Sequence, residues 1–397
     1  MKNPSVPVIV SLNLLSVLLQ PAFGNHRTGT LILPELIVAG DFNQDGKMDL
    51  AVNATGFDNV AILFGDGAGG FTLGGHFAAD TLPKGLQVGD VNGDGRLDLV
   101  TCNNWGYDES VLLGDGHGAF HFISPPNEID GDGEPVRFLL RDFNNDGRLD
   151  LAVNAPDDSK LILFFGDGQG NFPGPDVEIE HVQHPFGMAS GDFNQDGNLD
   201  MAIGAATRNE SATTILLGDG KGHFAISTVP CEQLPSSVQV GDLNNDGKTD
   251  FVVAGALPHN DTGNFISTFL GDGTGQFALK ETVSLGQGSS KGETVLGDFN
   301  EDGNLDVAFP QTGIPKIIGE SIHVLIYFGD GTGNLTAGPI LDVGLEPHSV
   351  LSVDVNGDRH LDLAVSNRSD GTITVLLGDG KGNFTASSTT SILSPNE

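Results

Sequence analysis

The chain has 397 residues, with 53 Asp+Glu against 18 Lys+Arg and a formal charge of −35. Nucleic acid is excluded as a partner, since phosphate backbones are bound through clustered Lys and Arg; an anionic membrane surface is disfavoured for the same reason. A hydrophobic content of 38% with 24 Phe is too apolar for a disordered acidic tail, and 57 Gly with 20 Pro imply many turns between short strands.

At the N-terminus, Lys2 precedes the apolar run VPVIVSLNLLSVLL (Val6 to Leu19), followed by PAFGN with small residues at Ala22 and Gly24. This reads as a secretory signal peptide spanning 1–24, because the run is shorter than the 18 or so residues that a membrane span needs. Residues 25–397 are then expected as one exported domain, extracellular, at the cell surface or periplasmic, with no later membrane span and a monomeric state.

From Asp41 onward one unit recurs seven times. DFNQDGKMD at Asp41 returns as DVNGDGRLD at Asp90, DFNNDGRLD at Asp142, DFNQDGNLD at Asp192, DLNNDGKTD at Asp242, DFNEDGNLD at Asp298 and DVNGDRHLD at Asp354, spaced 49 to 56 residues apart. Each is followed by a glycine turn of the type FGDGAGGF, and in six units a proline stands seven positions before the first aspartate, Lys291 taking its place in the sixth unit. Between these marks run four stretches with strand character. The first, with proline at its mouth where no ladder bond is lost, enters the acidic loop; the second, such as LDLAVN, leaves it and is apolar on both faces, as a strand covered on both sides reads. The third leads to the glycine turn and the fourth leads away. The fold class expected is all-β: a seven-bladed β-propeller of four-stranded antiparallel blades, strands a to d, since repeats of this length with short protected edges fit that architecture and exceed the turns of a β-helix.

The unit GDFNxDGxLDLAVN…LLGDGxGxF resembles the FG-GAP and VCBS repeats found in the propeller of integrin α subunits and in many secreted bacterial proteins. The resemblance spans roughly residues 30 to 393 and implies a seven-bladed propeller with calcium in the loops between strands a and b. The integrin leg domains have no counterpart here, so the resemblance stops short of adhesion.

The acidic loop has its own chemistry. Asp41, Asn43, Asp45 and Asp49 stand at loop positions 1, 3, 5 and 9, with the Lys47 carbonyl at 7 and Gly46 at 6 permitting the curl. The corresponding groups are Asp90, Asn92, Asp94, Arg96 and Asp98; Asp142, Asn144, Asp146, Arg148 and Asp150; Asp192, Asn194, Asp196, Asn198 and Asp200; Asp242, Asn244, Asp246, Lys248 and Asp250; Asp298, Asn300, Asp302, Asn304 and Asp306; and Asp354, Asn356, Asp358, His360 and Asp362. All-oxygen donors favour calcium over zinc, copper or magnesium. Position 12, where an EF-hand needs a bidentate Glu, holds Val52, Thr101, Val153, Ile203, Val253, Phe309 and Val365, which rules that motif out. Two carboxylates about 4 Å apart repel by about 4 kcal/mol at an effective dielectric of about 20, so a closed loop holding three calls for a cation. The competing reading is a set of metal-free Asx turns. Up to seven ions are expected, the seventh site being the weakest because Arg359 replaces the glycine. The aspartates of the glycine turns, Asp66, Asp115, Asp167, Asp219, Asp272, Asp330 and Asp379, read first as hairpin residues and only secondarily as ion ligands.

Recognition is expected on the opposite face, where the b–c connections vary: CNNWGYDES, GAATRNESAT, AGALPHNDTGNFIS and PQTGIPKIIGESIH in blades 2, 4, 5 and 6. Trp105, the only tryptophan, and Tyr107 could stack on a sugar or anchor a protein; Arg208 and His259 are further candidates. Six N-x-S/T sequons (at Asn53, Asn209, Asn260, Asn334, Asn367 and Asn383) matter only in a glycosylating host. Cys102 and Cys231 fall in different blades, too far apart for a disulfide, and read as small buried hydrophobes. The function expected is a calcium-binding module for an unknown extracellular protein or carbohydrate, not an enzyme. The alternatives are a lyase-type polysaccharide-degrading enzyme on the same scaffold and a purely structural surface protein.

Overall fold

Each unit folds as the same meander. The computed structural model describes residues 33–103, 108–123, 137–155, 159–174, 177–180, 182, 185–206, 211–231, 234–257, 260–286, 292–312 and 322–393, and the leader expected at 1–24 lies outside them. In blade 1 the four strands are Pro34–Gly40, Asp49–Ala54, Asn59–Gly65 and Phe71–Ala78, hydrogen-bonded in the order a-b-c-d with every pair antiparallel. Six further four-stranded sheets repeat this order, and no helix occurs among the described residues, so the chain is an all-β, seven-bladed propeller.

Strand b carries apolar side chains on both faces because both faces are covered. Asp49–Ala54, Asp98–Asn103 and Asp362–Asn367 are buried along their whole length. Strand d alternates instead, as in Phe384–Ser391, and forms the outer edge. The a strands contact one another blade to blade in a closed ring around the central channel. Five of the prolines, Pro34, Pro83, Pro185, Pro235 and Pro347, sit at a register shift where strand a begins to pair, so the missing N–H falls where the ladder is already broken.

The core is divided into seven wedges, each filled from two neighbouring blades. Leu36, Ile62 and Phe42 of blade 1 meet Leu86, Leu99 and Leu112 of blade 2 in one wedge; Ile37, Leu50 and Val52 of blade 1 meet Ala364, Ile373 and Val375 of blade 7 in another. The connections between strands b and c are shorter than their sequences suggest. In blade 5, strand b runs Asp250–Leu257 and strand c Asn260–Gly271, so most of AGALPHNDTGNFIS is an extended, bulged hairpin and not a loop. Backbone pairing such as Gly255 with Phe265 continues the ladder through residues whose turn-like composition suggested a break. Cys102 and Cys231 lie in blades 2 and 4; Cys102 Sγ accepts the Gly85 N–H at 3.2 Å, and burial pushes its thiol up to about 12.

Candidate metal loops and the facing channel

The acidic loop is organised by its own amides. The Asp45 N–H donates to both Asp41 Oδ1 (3.0 Å) and Asn43 Oδ1 (2.9 Å), the Gly46 N–H to Asp41 Oδ2 (2.8 Å) and the Lys47 N–H to Asp45 Oδ1 (3.0 Å). The bond from position 5 to the Asn side chain and the bond from position 7 to the position 5 carboxylate recur in all seven loops. In the first six loops the same position 5 amide also bonds the position 1 carboxylate, drawing the oxygens at positions 1 and 3 to one point. Position 6 has φ near +80° throughout, from Gly46 at 83° to Arg359 at 77°, and a Cβ on Gly46 would touch nothing, so glycine is favoured there by backbone angle and not by space. Arg359 keeps the curl, its N–H donating to Asp354 Oδ2 at 2.8 Å.

Position 9 behaves differently. Asp49, Asp98, Asp150, Asp200, Asp250, Asp306 and Asp362 are fully buried. In each, Oδ2 accepts the N–H of position 2 and Oδ1 the N–H of a glycine that ends strand c or, at Gly166 in blade 3, follows it, as in Phe42 to Asp49 (3.1 Å) and Gly65 to Asp49 (2.9 Å). That glycine is required by approach: a Cβ on Gly65 would lie 2.1 Å from the Met48 carbonyl oxygen. Burial, aided by the carboxylates at positions 5 and 1, raises the position 9 carboxyls above the usual aspartate range, to about 6 at Asp98, Asp150, Asp200 and Asp306. Asp49, Asp250 and Asp362 shift the same way.

Among the described residues no three His, Cys, Asp or Glu side chains gather into a metal-holding group. The donors expected at positions 1, 3, 5 and 9 are thus split between solvent-facing oxygens at 1, 3 and 5 and a buried carboxylate at 9. The set still fits a hard cation. Two carboxylates, an amide oxygen and the position 7 carbonyl offer oxygen alone, and each position 9 oxygen keeps a lone pair beyond its one amide bond. The aspartates of the glycine turns are hairpin residues: Asp66 Oδ1 accepts the N–H groups of Ala68 (2.7 Å) and Gly70 (2.9 Å), and the other six repeat the pattern.

Position 4 was overlooked by motif reasoning. Gln44, Asn145, Gln195, Asn245 and Glu301 all adopt φ between 56° and 59°, and Gly93 and Gly357 fill the same place at 73° and 78°. Three of these side chains reach into the next blade's loop: Asn145 Nδ2 donates to Asn198 Oδ1 (2.9 Å), Gln195 Nε2 to the Gly247 carbonyl (2.9 Å) and Asn245 Nδ2 to Asn304 Oδ1 (2.7 Å). Glu301 likewise pairs with His360 of the seventh loop, raising the imidazole's pKa. The frequency of Gly and Asn at position 4 was the available signal.

The recognition residues expected from the sequence, Trp105, Tyr107, Arg208 and His259, lie outside the described residues, as do segments 104–107, 207–210, 258–259 and 313–321. The channel between the faces holds residues that break the repeat. Arg137 Nε pairs with Glu293 Oε1 at 2.7 Å, joining blade 3 to blade 6 across the ring. At the start of strand a, Glu35 is buried and binds Lys84 Nζ at 2.7 Å and Arg368 Nη2 at 3.5 Å, linking blade 1 to blades 2 and 7.

The fold matches solved structures of low identity. A protein from Lactobacillus plantarum is 12% identical with a TM-score of 0.59, covering 90% of this chain and 96% of its own. A functionally unknown protein from Desulfotomaculum acetoxidans DSM 771 is 12% identical with a TM-score of 0.55, covering 86% and 94%. BBS1N, solved in complex with ARL6DN, is 10% identical with a TM-score of 0.57, covering 92% and 96%. These likenesses concern the fold alone. No curated protein matches the chain. The family model of the FG-GAP-like repeat matches residues 41–101, 90–153, 142–203, 192–253 and 242–309, each match running from one acidic loop into the strand b after the next. The chain belongs to the FG-GAP-like repeat family.

Proposed function

We propose that the protein is an exported, calcium-stabilised propeller that acts as a binding module, with recognition on the face of the b–c connections and no catalysis of its own. The observation that carries the calcium reading is the sevenfold recurrence of one all-oxygen donor set, its Asn oxygen and position 5 carboxylate held by the same amides in every loop. When bound, calcium would neutralise carboxylates that otherwise repel across the loop. Residues at positions 1, 3, 5 and 7 would hold it, with position 9 closing the loop against strand c.

At calcium about tenfold above a dissociation constant near 10⁻⁴ M, each occupied site stabilises the fold by about 1.4 kcal/mol, so several together rival the net stability of a domain. The test is a metal count on chelated and reloaded protein together with thermal melts in EGTA and in millimolar calcium. The expected result is several ions per chain and a melting temperature at least 10 °C higher in calcium. An unchanged melting temperature with no bound metal would end this reading. For recognition, an array of glycans and extracellular proteins should show binding without product release; release of unsaturated oligosaccharide would instead make the protein a lyase.

A further inference from the structure

Blade 3 departs from the repeat at the wall of the channel. Arg141 stands immediately before the acidic loop, where the other units have Gly40, Gly89, Gly191, Gly241, Gly297 and Val353. Those glycines answer to packing: a Cβ on Gly40 or Gly89 would come 2.4 or 2.6 Å from a leucine of the next blade. A long cation at the equivalent place in blade 3 is therefore no product of the shared architecture. Arg141 and Arg137 both line a channel cavity of about 220 Å³. Arg137 is matched by Glu293, which occupies the same place in blade 6. Arg141 has no such match: it forms no ion pair among the described residues, and its Nη1 donates to the neighbouring Leu140 carbonyl at 2.7 Å. Gln87, Ser190 and Gln239 line the same cavity, and none of them makes a side-chain hydrogen bond among the described residues.

We infer that this cavity is a site for a small oxyanion, anchored by the Arg141 guanidinium and completed by the neutral donors Gln87, Ser190 and Gln239. A guanidinium presents a planar fork of donors that matches two oxygens of a carboxylate, sulfate or phosphate. Arg141 is exposed to the channel and has no carboxylate partner among the described residues, so its fork is open to an oxyanion from solution. At about 30 Å³ per water the cavity holds on the order of seven waters, which limits the guest to a small molecule or a single anionic group. The site is separate from the b–c face, and although Arg141 adjoins Asp142 of the third acidic loop, no acidic-loop residue lines the cavity, so the proposal does not depend on calcium binding or on recognition at the b–c face.

The probes are sulfate and succinate, titrated calorimetrically at fixed ionic strength into the full chain with calcium present. Wild-type protein should bind one of them saturably at one site per chain, and the stronger probe tells a tetrahedral oxyanion from a carboxylate. Arg141→Gly restores the residue of the repeat and should weaken binding at least tenfold, with Arg141→Lys falling between, because the charge remains while the fork is lost. Gln239→Leu, which keeps every charge, should weaken binding by a smaller factor and serves if Arg141→Gly fails to fold. Absence of saturable binding to wild-type protein, or equal binding by wild type and either Arg141→Gly or Gln239→Leu, overturns the site.

Discussion

Within one acidic loop, two aspartates of the same motif do different work. Asp98 at position 9 is fully buried and accepts the N–H groups of Val91 (3.0 Å) and Gly114 (2.8 Å), whereas Asp94 at position 5 faces solvent. Asp98→Ala would orphan two buried donors at about 1–3 kcal/mol each. Its urea midpoint should fall even in EGTA, by an amount equivalent to about 2–6 kcal/mol. Asp94→Ala loses two exposed bonds, from the Arg96 N–H and Asn92 Nδ2, and a surface ion pair, together costing about 1 kcal/mol in EGTA, yet should release about one calcium from the bound total. Equal losses in EGTA would refute the division of roles. His348 offers a pH test. Burial pushes this imidazole down to about 4, the nearby Arg137, Arg368 and Lys84 adding to the effect and Glu35 opposing it, and its Nδ1 is shielded without a partner. Above pH 6.5 the ring is neutral both folded and unfolded; as pH falls from 6.5 towards 4 the unfolded chain takes the proton first, so stability is lost in that window. The melting temperature of wild type should therefore drop relative to His348→Gln between pH 7 and pH 4.5, and parallel pH profiles would disprove it.

At the scale of loops and strands, each acidic loop is a joint. Its position 9 carboxylate clasps the glycine at the end of strand c of its own blade, and in four of the loops the position 2 carbonyl accepts an N–H from the next blade's glycine turn: Gly118 to Phe42 (3.0 Å), Gly170 to Val91 (3.1 Å), Gly275 to Phe193 (3.0 Å) and Gly382 to Phe299 (2.9 Å). Periodicity made the skeleton of this arrangement readable in advance: the strand-loop-strand order, the apolar strand b and the hairpin aspartates all recur, and recurrence is what sequence comparison within one chain detects. Three things were not readable. The burial of position 9 depends on the approach of strand c, about 16 residues away or more. The position 4 contacts depend on a loop in another blade. Arg137, Glu293 and Arg141 each occur once, so they looked like variation until the ring placed them in one channel. Arg359 tests the joint directly. It holds φ +77° at a place where the other six loops have glycine, a conformation that costs a side-chain-bearing residue about 1–2 kcal/mol, partly offset by the backbone entropy that glycine loses on folding. Arg359→Gly should thus stabilise the protein by about 0.5–1 kcal/mol in EGTA, visible as a higher urea midpoint, and a lower midpoint would show that the arginine side chain contributes contacts of its own.

The whole molecule has no central core, only seven wedges between blades, so stability rests on the ring being complete. Every blade is a contiguous stretch of chain in the order a-b-c-d, and among the described residues no strand is exchanged between the first blade and the last. Closure is instead made by side chains: Ser366 Oγ donates to the Glu35 carbonyl (2.7 Å), Ser388 Oγ to the Gly69 carbonyl (2.8 Å) and Thr390 Oγ1 to the Phe71 carbonyl (3.2 Å), over a wedge built from Ile37, Leu50 and Val52 against Ile373 and Val375. A chain ending at residue 342 would uncover this wedge on blade 1 and the Val324 and Ile326 face of blade 6 at once. Re-exposing half a dozen large apolar side chains at about 1.5–3 kcal/mol each is on the order of 10 kcal/mol, as large as the whole net stability of a typical domain. The truncated chain should therefore lose its cooperative urea transition and bind a hydrophobic dye. A circular permutant opened at 232–233, between blades 4 and 5, with its original ends joined keeps all seven wedges and should unfold in one transition near the wild-type midpoint. Should the truncated chain instead unfold cooperatively at the wild-type midpoint, the blades would be independent units and the closed ring would contribute nothing to their stability.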